Sequence, residues 1–130
     1  MKKLISILLL TLILVAQTAV FSGCTKGSGD TLRVGMECNY APFNWTQLTD
    51  ANGGVQISEN TQYAAGYDIE IAKKIAEGLG KTLEVVKIEW EGLSPALESG
   101  NIDLIIAGMS PTADRKVSID FTNNYSIIRK

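Results

Sequence analysis

Apolar and polar positions divide this chain into one long apolar opening and a folded part whose period changes several times. After Lys2 and Lys3 an apolar run extends from Leu4 to Ala16 and is diluted by Gln17 and Thr18 before Phe21. Thr31-Leu32-Arg33-Val34-Gly35-Met36 alternates and predicts a first strand. Glu37 to Trp45 keeps no period and reads as an irregular loop turned by Pro42. The stretch from Gln47 to Ala65 is equally aperiodic, and its turn cluster Asp50-Ala51-Asn52-Gly53-Gly54 suggests a long hairpin or excursion. Asp68 then opens a helix with Ile69, Ala72, Ile75, Ala76 and Leu79 on one face. Glu70/Lys74 and Lys73/Glu77 are placed to pair on the other face, and Gly78 and Gly80 end the helix. Thr82 to Ile88 is β-rich and predicts a second strand. Leu93 to Ser99 predicts a short helix with Pro95 in its first turn and Gly100 just beyond its end. The apolar run Leu104 to Ala107 predicts a third strand that breaks at Gly108.

Strand, helix, strand, helix, strand implies an α/β fold with an open, mostly parallel sheet and flanking helices. Ligands of such sheets bind outside the carboxyl ends of the strands. Those ends are Glu37 to Tyr40, Glu89-Trp90-Glu91 and Gly108-Met109-Ser110, followed by Arg115. Free N–H groups at the break, the Ser110 hydroxyl and the planar fork of Arg115 make an anion grip suited to a carboxylate or phosphate. On its own, Arg115 reads more simply as a partner of Asp114 or Asp120 on a solvated turn. Tyr40 and Trp90 share the same rim, where rings sandwich an organic ligand or attract its cationic part, or simply pack as core or lid.

Composition changes this picture mainly through the ends and through what is missing. The basic start, the short apolar run and the small residues Ser22-Gly23 before Cys24 describe an export signal over residues 1–23. They resemble the bacterial lipobox, in which the cysteine is acylated and anchors the protein to the membrane. Thr25 to Asp30 is then a polar Gly/Ser tether. Cleavage removes Lys2 and Lys3 and leaves 10 basic against 14 acidic residues, which argues against a nucleic-acid surface. With Cys24 lipidated, Cys38 stands alone and no internal disulfide is available. The chain has no histidine, so Cys38 lacks a base and reads as a small buried apolar residue. Ser/His/Asp catalysis and most zinc sites are excluded with it.

Four segments together resemble the polar amino-acid-binding family of ABC-transporter solute-binding proteins. They are Met36 to Phe43, Gly66 to Ala72, Trp90 to Leu97, and Ala107-Gly108-Met109-Ser110 through Arg115 to Phe121. The resemblance implies a periplasmic-binding-protein-like (type II) lobe and no cofactor. It further implies that Arg115 binds the α-carboxylate of a free amino acid, supported by Ser110 within the Gly108-Met109-Ser110 turn. The Gly108 carbonyl would accept from the α-ammonium, Tyr40 and Trp90 would flank the ligand, and Glu37 would face its amine or side chain. The implied partners are an ABC permease with its ATPase, and the membrane through the lipid on Cys24.

Members of this family have two lobes, and this sequence stops where the crossing to the second would begin. The expected organisation is therefore a signal peptide over 1–23, a lipidated cysteine and tether over 24–30, and a partial solute-binding domain over 31–130 with the second lobe absent. Two alternatives use the same residues. One is an enzyme resembling cyclohexadienyl dehydratase, with Glu37 or Glu91 as acid or base. The other is a sensory or adhesin lipoprotein.

Overall fold

The computed structural model describes residues 29–125. The expected export signal, Cys24 and the first part of the tether lie outside the described residues, as do residues 126–130. Among the described residues no helix is long and apolar enough to cross a membrane.

The alternating Thr31–Met36 is strand β1, the centre of a three-stranded parallel sheet. β6 (Thr82–Lys87) pairs along its whole length, from Thr31 opposite Thr82 to Met36 opposite Lys87. β7 (Leu104–Ile105) takes the other edge at Val34 and Gly35. Arg33 of β1 grips Asp103 just before β7 with both arms of its fork, at 2.7 Å to Oδ1 and 3.1 Å to Oδ2. Helix α1 (Tyr67–Gly78) packs on β6, and α2 (Trp90–Glu98) packs on β1 and β7. Val34, Met36, Ile69, Val85 and Leu93 are buried in one core. Each such side chain contributes about 2 kcal/mol by leaving water.

A second sheet, antiparallel, fills the stretch without periodicity. Its order is β2 (Asn39–Tyr40), β3 (Asn44–Gln47), β5 (Tyr63–Ala65) and β4 (Val55–Gln56). Ile57 bridges it to Val85 of the parallel sheet. The expected loop from Glu37 to Trp45 is therefore corrected: it holds β2 and the start of β3. Two-residue strands are too short to display alternation.

Other boundaries also move. Asp68 does not open α1 but sits in its first turn. Gly66 precedes the helix at φ 125°, where a Cβ would come within 2.3 Å of the Phe43 carbonyl oxygen. That closeness lets the Pro42 and Phe43 carbonyls accept from the Tyr67 and Asp68 N–H groups, at 3.2 and 2.8 Å, in place of a side-chain cap. Leu79 follows the helix and is exposed, not on its buried face. The ion pair on α1 is Glu70–Lys73 rather than either expected i,i+4 pair, because the Lys73 ammonium also reaches the Gly53 carbonyl. Helix α2 begins at Trp90, which puts Pro95 in its interior rather than its first turn. The third strand is only Leu104–Ile105, since the chain then swings toward Gly108 at φ 63°.

Candidate functional site

The carboxyl ends of β1 and β7 and the start of α2 bring most of the expected residues to one end of the parallel sheet. The grip is organised around the Ser110 carbonyl. It accepts from the Thr112 N–H at 3.0 Å and from the Arg115 guanidinium Nη1 at 2.9 Å. The Thr112 hydroxyl in turn meets the Arg115 N–H at 3.4 Å, where a short 3₁₀ turn (Arg115–Val117) begins. The guanidinium carbon lies 5.2 Å from the centre of the Trp90 ring. Trp90 is half-buried, with its indole packed against the core, so it is both a core residue and a platform for the cation. Neither Asp114 nor Asp120 pairs with Arg115 among the described residues. One Nη1 donor is used internally, and no acceptor for Nε or Nη2 occurs among the described residues.

Tyr40, Gly108, Met109 and Ser110 line a cavity of about 320 Å³, together with Phe43 and Tyr125. Tyr40 is half exposed and stacks on Phe43 at 5.2 Å between ring centres. Phe43 meets Tyr67 edge-on at 6.4 Å, and Tyr67 stacks on Tyr125 at 6.2 Å. Tyr40, Phe43 and Tyr125 of this row line the cavity, and Tyr67 joins Phe43 to Tyr125 from outside it. Gly108 is left-handed, and a Cβ there would stand 3.2 Å from the Tyr40 ring, so glycine serves both the turn and the close approach. Trp90 and Arg115 do not line this cavity; Arg115 is tied to it through the carbonyl of the lining residue Ser110, and Trp90 through Arg115. Glu37 follows β1 directly, is partly exposed, and has no side-chain hydrogen bond or ion pair among the described residues.

Behind the cavity runs a buried polar chain that sequence reasoning did not find. Asn44 and Asp68 are fully buried. The Cys38 N–H donates to Asn44 Oδ1 at 2.9 Å, and Asn44 Nδ2 donates to Asp68 Oδ2 at 2.7 Å. The Tyr125 hydroxyl donates to Asp68 Oδ1 at 3.0 Å and accepts from the Gly108 N–H at 3.1 Å. Burial raises the Asp68 carboxyl above the ordinary range, while the bonds from Asn44 and Tyr125 pull it back. Burial and the neighbouring carboxylate push the Tyr125 hydroxyl up to about 12. A signal was present: Asn44 stands between Phe43 and Trp45, where a polar side chain flanked by large rings calls for a buried partner.

Cys38 is buried as expected, at φ 57°. Desolvation raises its thiol to about 11, with Lys87 offsetting a little. No cluster of three or more metal-ligating side chains occurs among the described residues.

Residues 32–130 match the family model described as bacterial extracellular solute-binding proteins, family 3. The chain is 32% identical over 122 residues to the arginine-binding extracellular protein ArtP of Bacillus subtilis, covering 88% of this chain and 43% of that protein. It is 30% identical over 124 residues to the histidine-binding periplasmic protein of Escherichia coli K12, covering 95% of this chain and 41% of that protein. Among solved structures, the arginine-bound form of domain 1 from TmArgBP aligns with a TM-score of 0.60 at 36% identity, over 73% of this chain and 66% of that one. The fold is thus periplasmic-binding-protein-like. The chain spans about two fifths of the length of these two relatives.

Proposed function

The chain belongs to family 3 of the bacterial extracellular solute-binding proteins, and from that membership we propose that it is an exported lipoprotein that captures a cationic amino acid for an ABC importer. The observation that carries this reading is the state of Arg115. Its guanidinium is oriented in advance by the Ser110 carbonyl and the Trp90 face, with donors left over. A carboxylate arriving beside Ser110 meets a planar fork whose ordering cost is already met by the fold.

In this reading Arg115 binds the α-carboxylate, and Ser110 assists with its N–H and hydroxyl. The Gly108 carbonyl receives the α-ammonium. Tyr40 and Trp90 flank the ligand, Phe43 extends the wall that Tyr40 begins, and Met109 closes the turn between Gly108 and Ser110. Glu37 faces the amine or a cationic side chain, and relatives named for arginine and histidine favour that class. No bond is made or broken. A zwitterion is held by matched charges, a second lobe closes over it, and the loaded protein docks on a permease and its ATPase. Cys24 carries the lipid that keeps the protein at the outer face of the membrane.

The arginine-bound domain 1 of TmArgBP supports testing this chain by itself. Calorimetry with the common amino acids is the direct measurement. L-arginine or L-histidine is expected to bind, and Arg115→Ala to abolish binding while circular dichroism stays unchanged. Failure to bind any of them, or an unaltered affinity in the variant, refutes the reading.

A further inference from the structure

The geometry points to Tyr125 as a positioning residue that sets the direction of the Gly108 carbonyl, backed by Asp68 and Asn44. This inference rests on the reading that Gly108 receives the ligand's ammonium group.

The argument starts from the direction of each hydrogen bond. The Tyr125 hydroxyl donates its proton to Asp68 Oδ1, and Asn44 Nδ2 donates to Oδ2. The phenolic oxygen then has its lone pairs facing outward, and the Gly108 N–H fills one of them. At the other end, Asn44 Oδ1 takes the Cys38 N–H, next to Glu37. One unbranched chain therefore runs from the peptide after Glu37 to the peptide before the Gly108 carbonyl. Among the described residues no buried side-chain polar atom is left without a partner.

Tyr125 is itself fixed from α1. The Tyr67 hydroxyl donates to the Tyr125 carbonyl at 3.1 Å, and the two rings stack. With its hydroxyl and its carbonyl bound by the consecutive residues Asp68 and Tyr67, the ring has little freedom to withdraw from Gly108. Gly108 needs such a hold because glycine at φ 63° resists other conformations only weakly. Pinning its N–H fixes the Ala107–Gly108 peptide plane, and the left-handed turn then sets where the next carbonyl points. A purely structural role would explain the burial of Asp68 and Asn44. It does not explain why the chain ends on the backbone of the one residue whose carbonyl meets the ammonium.

Tyr125→Phe keeps the ring and its stacking but removes the hydroxyl. Calorimetry should use L-arginine and deamino-arginine, which has the same side chain and carboxylate without the α-amine. The variant is expected to lose roughly tenfold in affinity for L-arginine and less than about threefold for the deamino compound. Equal losses, or none, overturn the inference. A ligand-free readout accompanies it: the Gly108 amide should exchange with solvent at least about tenfold faster in Tyr125→Phe while the Val34 amide is unchanged. If wild type binds neither compound, the proposed function fails and amide exchange alone decides the relay. If the variant does not fold, the wild-type spectrum decides: a Tyr125 hydroxyl proton in contact with the Gly108 amide supports the relay, and its absence overturns it.

Discussion

The Arg115 guanidinium sits over the Trp90 ring, 5.2 Å from its centre, while its Nη1 donates to the Ser110 carbonyl at 2.9 Å. A long cationic side chain on a surface turn would ordinarily sample many rotamers, and ordering one costs up to about 2 kcal/mol. Here the indole face and the carbonyl hold it in one orientation. The two contacts restrain different degrees of freedom, one the plane of the fork and the other its rotation.

This division predicts that the two partners fail differently. Arg115→Lys keeps the charge but loses the fork, and L-arginine affinity should fall roughly tenfold or more with no change in thermal midpoint. Trp90→Phe should cost only a few-fold, since a phenyl face still attracts the cation. Trp90→Ala should lower unfolding free energy by about 2 kcal/mol as well, because the indole also packs on the core. Calorimetry and urea titration of the three variants separate the effects. A binding loss in Trp90→Phe as large as that in Arg115→Lys would contradict the division.

How far the sequence reveals this arrangement depends on the length of each pattern. Ile69, Ala72 and Ala76 recur at helical spacing over about two turns, and Thr31 to Met36 alternates over six residues, so α1 and β1 are legible. The antiparallel sheet is not, because β2 and β4 have two residues each and take their register from their partners, Asn39 opposite Trp45 and Val55 opposite Ala64, rather than from a local pattern. The start of α2 is hidden for a related reason: Glu89 offers no side-chain cap, so nothing marks Trp90 as the first residue. Asp68 looks like a helix opener on local grounds. Its carboxylate instead turns inward to Asn44 and Tyr125, 24 and 57 residues away, and no local rule carries that information.

Gly66 should tolerate no side chain. Its φ of 125° lies outside what other residues adopt, and a Cβ would stand 2.3 Å from the Phe43 carbonyl oxygen and 2.9 Å from the Trp45 ring. The colliding atom belongs to backbone that also receives the Asp68 N–H, so it cannot retreat without uncapping α1. Gly66→Ala is expected to lower unfolding free energy by about 3 kcal/mol or more. Gly78→Ala is the control: nothing lies within 4 Å of its Cβ position. Equal stability of the two variants in urea would contradict the packing described.

The Arg33–Asp103 pair gives stability a pH dependence whose sign follows from the structure. The Arg33 fork, then its N–H at 2.8 Å, hold the Asp103 carboxyl below the usual range, burial opposing them only in part. An acid depressed in the folded state stabilises above its unfolded value of about 3.9 and loses that contribution as pH falls through the folded value. Asp103→Asn should therefore melt below wild type at neutral pH, and the gap should close as pH is lowered from neutral to below about 4. Melting curves across that range check this; a gap that persists at the acidic end would mean that packing, not charge, links β1 to the turn before β7.

Cys38 offers a test of how closed the buried polar chain is at its Asn44 end. The residue is 2% exposed, its N–H is bound to Asn44 and its carbonyl accepts from the Thr46 hydroxyl at 2.8 Å. With the thiol raised to about 11, less than about one part in a thousand is thiolate at neutral pH, against roughly three in a hundred for a free cysteine. Lack of access slows attack further. In a Cys24→Ser variant, where Cys38 is the remaining cysteine, alkylation by iodoacetamide at pH 8 should be slowed at least about thirtyfold relative to the urea-unfolded chain. Rapid labelling in the folded protein would show that the segment joining Glu37 to Tyr40 opens to solvent. The hydrogen-bonded route from Cys38 to Gly108 would then be broken for part of the time even without ligand.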